Sequence, residues 1–122
     1  MSNPKFFYFR NRIKSFGYAI QGIVVFFKTQ YNAWIHLLAA LVACVLGFVL
    51  KISTVEWCWI VFAIALVLVA EMLNTALEFL TDLVSPSVHP LAKKVKDVAA
   101  GAVLVAAITS LVIGALIFIP KF

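Results

Sequence analysis

Charge is what this 122-residue sequence has least of: 12% of its residues are charged, and only five are acidic. A soluble domain of this length has too little interior to hide a chain that is 65% hydrophobic. With a mean hydropathy of +1.10, the composition excludes a soluble fold and points to an integral membrane protein. The length suits a single domain, residues 1–122. Alternation with period two over strand length is also missing, which excludes a membrane barrel and leaves helices to satisfy the backbone. Long linkers, repeats and low-complexity tracts are absent. Cysteine is scarce, and Cys44 and Cys58 both sit in apolar sequence, where a thiol packs as a small hydrophobe. "LVAC" at 41–44 superficially resembles a lipoprotein cleavage box. The apolar run continues through "VLGFVL", however, and the position is late for a signal peptide.

What is present is apolar sequence in three blocks, predicting membrane helices over about 33–51, 55–84 and 97–119. Each reaches the roughly 20 residues needed to cross about 30 Å of hydrocarbon, the first only marginally. Before them, residues 5–29 do not span, because Arg10, Arg12 and Lys14 interrupt the run. Ile13, Phe16, Ile20, Val24 and Phe27 recur at intervals of three and four, which predicts an amphipathic helix in the headgroup plane. A plain surface anchor is the simpler alternative. Trp34, and Trp57 with Trp59, fit opposite interfacial belts. Ala102, Ala106, Ser110 and Gly114 place small residues on one face, suited to packing against another helix. Pro86 and Pro90 break the chain after the second span.

The basic residues are unevenly placed. Lys5, Arg10, Arg12, Lys14 and Lys28 precede the first span, and Lys93, Lys94 and Lys96 lie between the second and third. The opposite side holds Lys51, Glu56 and Lys121. The positive-inside rule puts the N-terminus and the 83–97 loop in the cytoplasm. These cations read as topology and anionic-lipid contacts, not as a nucleic-acid surface.

One stretch is out of character. "EMLNTALEFLTD", residues 71–82, follows directly on "WIVFAIALVLVA" and brings three carboxylates and an asparagine to the end of a span. On a helix with Glu71 at zero, Glu78 falls at about −20°, Asp82 at about +20°, Asn74 at about −60° and Thr75 at about +40°. All of them share one narrow stripe, with Leu73, Leu77, Leu80 and Val84 on the remaining surface. From Trp57 to Val84 the helix is roughly 42 Å long, against about 30 Å of hydrocarbon. Asp82 therefore stands in water, Glu78 at the interface and Glu71 roughly two turns inside. A charge at that depth costs about 2.5–3.5 kcal/mol, so keeping Glu71 suggests a use, that of a general base. Beside the stripe, Lys96-Asp97 precedes the third span. Interfacial carboxylates next to lysines offer what phosphoryl transfer needs: ligands for Mg²⁺, cations for phosphate oxygens and a base. The bland alternative is that these groups hydrogen-bond neighbouring helices and fix an oligomer, the better reading for Asn74 taken alone. Each lysine taken alone reads as a topology determinant.

"EMLNTALEFLTD" and "HPLAKKVKDVAAGAVL", with "IKSFGYAIQGI" and "NAWIHLLAAL", closely resemble the small bacterial integral-membrane diacylglycerol kinase/undecaprenol kinase family. The likeness covers nearly the whole chain. It implies a homotrimer of three spans and a surface helix per chain, with active sites shared between subunits in the bacterial inner membrane. It implies transfer of the γ-phosphoryl of MgATP to a membrane lipid alcohol. By the same resemblance Glu71 is the base, Glu78 binds the metal, Asn74 orients the cluster and Lys96 contacts phosphate. Asp97 and the His89 region hold the nucleoside, and Tyr18 matches a tyrosine associated with the nucleotide. Gly17 and Gly22 mark close approach.

Two departures from the family pattern stand out. Its second metal carboxylate falls at Gln30, a neutral amide, and the first acid in the chain is Glu56, across the membrane. Its N-terminal arginine, a lipid-substrate contact, falls at Asn11, with Arg10 and Arg12 on either side. "IHLLAAL" and "KDVAAGAVL" lean towards undecaprenol as acceptor, with diacylglycerol the alternative. Two readings of another class remain: an ion-carrying subunit, for which Glu71 alone suffices, and a non-catalytic assembly protein.

Overall fold

The computed structural model describes residues 4–122, and they form four α-helices and a short 3-10 turn. Helix α1 covers Pro4–Thr29, α2 Tyr31–Val49, α3 Thr54–Val84 and α4 Pro90–Phe118, with the turn at Ile119–Lys121. The chain divides into two compact units, the first ending at Tyr31 and the second running Asn32–Phe122.

The first unit is essentially α1. Ile13, Phe16, Ile20 and Val24 lie exposed along it, and the Phe26 and Phe27 rings meet edge to face at 5.4 Å. Its last turn is closed by Thr29, whose hydroxyl donates to the Val25 carbonyl at 2.7 Å. A Cβ added at Gly17 or Gly22 meets no described atom within 4 Å.

The second unit holds the helices long and apolar enough to cross a membrane: α2, α3, and α4 with its terminal turn. The helix that carries the third apolar run starts at Pro90, ahead of that run. Pro90 occupies the first helical turn, where its missing N–H costs nothing, and His89 Nδ1 accepts the Leu91 N–H at 3.1 Å. The two turns ahead of residue 97 are thus helical, although they carry lysines in place of apolar residues.

α3 and α4 run antiparallel along each other. Their register is marked by Glu56–Lys121 at one end (3.2 Å), Ser110 donating to the Ala63 carbonyl in the middle (2.9 Å), and Asp82–Lys96 at the other (2.7 Å). The small-residue stripe of α4 packs at its centre, where Ala106 is buried against α3, while Ala102 stays exposed. Between α2 and α3 the chain turns on capping chemistry. Ile52 N–H bonds the Gly47 carbonyl at 3.1 Å and Lys51 N–H the Phe48 carbonyl at 3.4 Å, with Lys51 in the left-handed region at φ 51°. Ser53 and Glu56 then close a reciprocal capping box that starts α3.

At this end α2 meets α3 closely. An added Cβ on Gly47 lies 2.7 Å from the Trp57 ring, which also packs on Phe48 at 4.9 Å. Trp57 is thus turned inward onto α2, whereas Trp59 is exposed, as an interfacial residue would be. Ile52, Ile60 and Ile117 form the buried apolar cluster beneath it. Of the two cysteines, Cys44 is half-buried and Cys58 exposed, so only the first packs within the described chain.

Candidate active site

Next to that cluster, and sharing Ile60 with it, α2 stands off from α3 and α4 across a cleft of about 540 Å³. Its walls are almost wholly apolar, built from residues such as Ala39, Ala43, Val67 and Leu111. At the end nearest the start of α2 it is bounded by His36, the one ionisable residue among those lining it.

His36 reaches Glu71. Its Nε2 lies 2.8 Å from Glu71 Oε1, with the Glu71 side chain 9% exposed. An ionised carboxylate only accepts hydrogen bonds, so Nε2 is the donor towards it. Thr75, one turn on and buried, spends its hydroxyl on the Glu71 backbone carbonyl at 2.9 Å and leaves the carboxylate alone. On the same stripe, Asn74 Nδ2 donates to Glu78 Oε1, one turn on, at 3.3 Å. Asn74 Oδ1 is buried and has no partner. A buried carbonyl oxygen without a donor is costly, and beside a carboxylate it is a natural cation ligand. Among the described residues no three His, Cys, Asp or Glu side chains converge on a metal position. Glu78 and Asn74 Oδ1 are the oxygens here that could serve a hard cation such as Mg²⁺, which takes one or two carboxylates and fills its shell from phosphates and water.

The stripe therefore splits into two working groups. Glu71 turns towards α2 and His36, while Asn74 and Glu78 bond each other, and Asn74 also borders a shallow groove against α4. The two carboxylates share a face but do not touch. Exposure rises along it, from buried Glu71 through half-buried Asn74 and Glu78 to exposed Asp82.

Of the remaining expected residues, Lys96, Asp97 and His89 have local partners in the second unit. Lys96 pairs with Asp82 across the helices, and Lys93 with Asp97 one turn on at 2.6 Å. His89 caps α4 through Nδ1. Arg10, Arg12, Tyr18 and Gln30 belong to the first unit, the first three exposed on α1 and Gln30 just after it, where its amide donates to the Thr29 hydroxyl at 3.2 Å.

Sequence reasoning missed His36. It sits inside the quoted "NAWIHLLAAL", and a titratable residue within an apolar span is itself a sign of function. The Asp82–Lys96 pair was missed as well, because only the antiparallel register of α3 and α4 brings residues so far apart in sequence together.

A three-span helical protein with a buried acid, a carboxylate–amide pair and paired lysines at one end defines a class: membrane-embedded enzymes handling phosphate beside lipid. Sequence comparison narrows it. The family model described as prokaryotic diacylglycerol kinase matches residues 17–118. An undecaprenol kinase of Bacillus subtilis (strain 168) is 44% identical over 108 residues, covering 88% of each chain. A diacylglycerol kinase of Synechocystis is 39% identical over 90% of this chain and 63% of its own length. The diacylglycerol kinase of Escherichia coli K12 is 27% identical over 85% of both chains. This chain belongs to the prokaryotic diacylglycerol kinase family, and it is a membrane kinase.

Proposed function

We propose that the protein transfers the γ-phosphoryl group of ATP to the hydroxyl of a membrane lipid alcohol at the cytoplasmic face of the bacterial inner membrane. Undecaprenol is the favoured acceptor and diacylglycerol the second reading, a preference supported by the 44% identity to an undecaprenol kinase. The observation that carries the reading is Glu71, buried in an apolar helix and held at 2.8 Å by His36, on the same stripe as the Asn74–Glu78 pair.

Glu71 takes the proton from the lipid hydroxyl, whose oxygen attacks the γ-phosphorus as ADP leaves. Glu78 and Asn74 Oδ1 would hold Mg²⁺, with Gln30 the weaker candidate for a second position, and the ion would supply positive charge to the phosphate oxygens. Lys96 exchanges its partner Asp82 for phosphate, a trade between two anions at an exposed site that costs little. Tyr18, His89 and Asp97 border the nucleotide, and Arg10 or Arg12 contacts the lipid headgroup. Helix α1 lies in the cytoplasmic headgroup plane, and three chains assemble with sites shared between them.

The test is transfer of label from γ-labelled ATP in bilayers supplied with undecaprenol or diacylglycerol at ample Mg²⁺. Label in a lipid names the acceptor, and no label with either favours an ion-carrying or assembly role. Glu71→Gln is expected to abolish transfer while the protein stays folded, and full activity in that variant defeats the assignment of the base.

A further inference from the structure

We infer that His36 is a positioning residue for Glu71, fixing the carboxylate by one oxygen so that the other is presented to the acceptor hydroxyl. The inference deepens the kinase reading and rests on Glu71 being the base.

Burial encloses that carboxylate but does not by itself orient its two oxygens. α2 is clamped to α3 at the Gly47–Trp57 contact, and beyond it the two helices are separated by the apolar cleft. Glu71 lies past the cleft, on a flexible side chain with three rotatable bonds. The polar contact that orients it is His36 Nε2 on Oε1, short at 2.8 Å. Imidazole is well suited to this. It is planar, carries two rotatable bonds and sits on a regular helix, so little freedom remains once the bond forms. Thr75 does not compete, since its hydroxyl is committed to the backbone. Oε2 is left as the acceptor for an incoming proton. Because His36 also bounds the cleft, the same ring separates the carboxylate from the apolar space beside it.

A purely structural histidine would stabilise the α2–α3 contact and nothing else. A positioning histidine makes a narrower demand: a donor at the place of Nε2. Glutamine extends an amide nitrogen to nearly that place, whereas alanine removes it. The experiment measures kcat and KM for wild type, His36→Ala and His36→Gln in bilayers with γ-labelled ATP and the better acceptor. Unfolding temperature in detergent is followed in parallel. His36→Ala is expected to lose about ten- to hundredfold in kcat, the range for removing a hydrogen bond to a charged group. KM for ATP and for the lipid stays within about twofold of wild type, since uniform binding is untouched. His36→Gln recovers most of the loss. Should His36→Ala fail to fold, His36→Met, which fills the space without a donor, takes its place. Unchanged kcat in the donorless variant overturns the proposal, and so does an equal loss in His36→Gln. A wild type that labels no lipid at all overturns the kinase reading instead, and this inference with it.

Discussion

Gln30 is the residue at which this chain departs most from the chemistry expected of it. Hard cations prefer charged oxygen ligands, and an amide oxygen supplies geometry without charge. Its amide nitrogen meanwhile donates to Thr29, which turns part of the side chain to local use. If Gln30 stands at a metal position, Gln30→Glu restores a charge there, and the Mg²⁺ concentration giving half-maximal transfer falls severalfold. A Mg²⁺ titration of wild type against the variant decides it, and coincident curves remove Gln30 from the site. Asn74 makes the complementary point. Taken alone it reads as helix glue, yet its Nδ2 is bonded to Glu78 and its Oδ1 is buried without a donor.

At the scale of elements, the sharpest constraint is where α2 turns into α3. Gly47 is buried with the Trp57 ring against it and Ile52 Cδ1 3.0 Å from the place of its missing Cβ. The ring cannot swing freely, because Phe48 packs on its other side. Gly47→Ala therefore overpacks this corner and is expected to cost about 1–3 kcal/mol, read as a lower unfolding temperature in detergent. Gly114→Ala, where a Cβ meets open space and helix propensity only gains, serves as the control that should not lower it. The helices themselves were legible in the sequence, because three apolar runs and the Pro86–Pro90 break leave few other solutions. The polar stripe was legible too, since a 100° step needs no tertiary knowledge. The Gly47–Trp57 contact, the His36–Glu71 bond and the Asp82–Lys96 pair were not. Each joins residues on different helices, and periodicity within one helix carries no information about the azimuth or height of the next.

For the whole molecule, the question is which chain supplies which part of a site. The structure divides into a unit carrying Arg10, Arg12, Tyr18 and Gln30 and a unit carrying His36, Glu71, Asn74 and Glu78. Large apolar side chains such as Leu41, Val61, Leu104 and Leu111 remain exposed in the single chain, a surface suited to lipid and to the further copies of the proposed trimer. A closed ring of three, as proposed, allows the two units of a site to come from different chains. Subunit mixing separates the possibilities. Glu71→Gln chains keep an intact first unit, and chains with both Arg10→Ala and Arg12→Ala keep an intact second; each alone is expected to lose at least tenfold in transfer. Mixed in equal amounts and reassembled at random, they restore a working site only where an intact second unit meets a neighbour's intact first unit. Two independent halves make that about a quarter of all sites, so the mixture should recover about a quarter of wild-type activity. Recovery of nothing means that both units of a site belong to one chain, and a solution mass other than three times the 13.5 kDa of one chain removes the trimer itself.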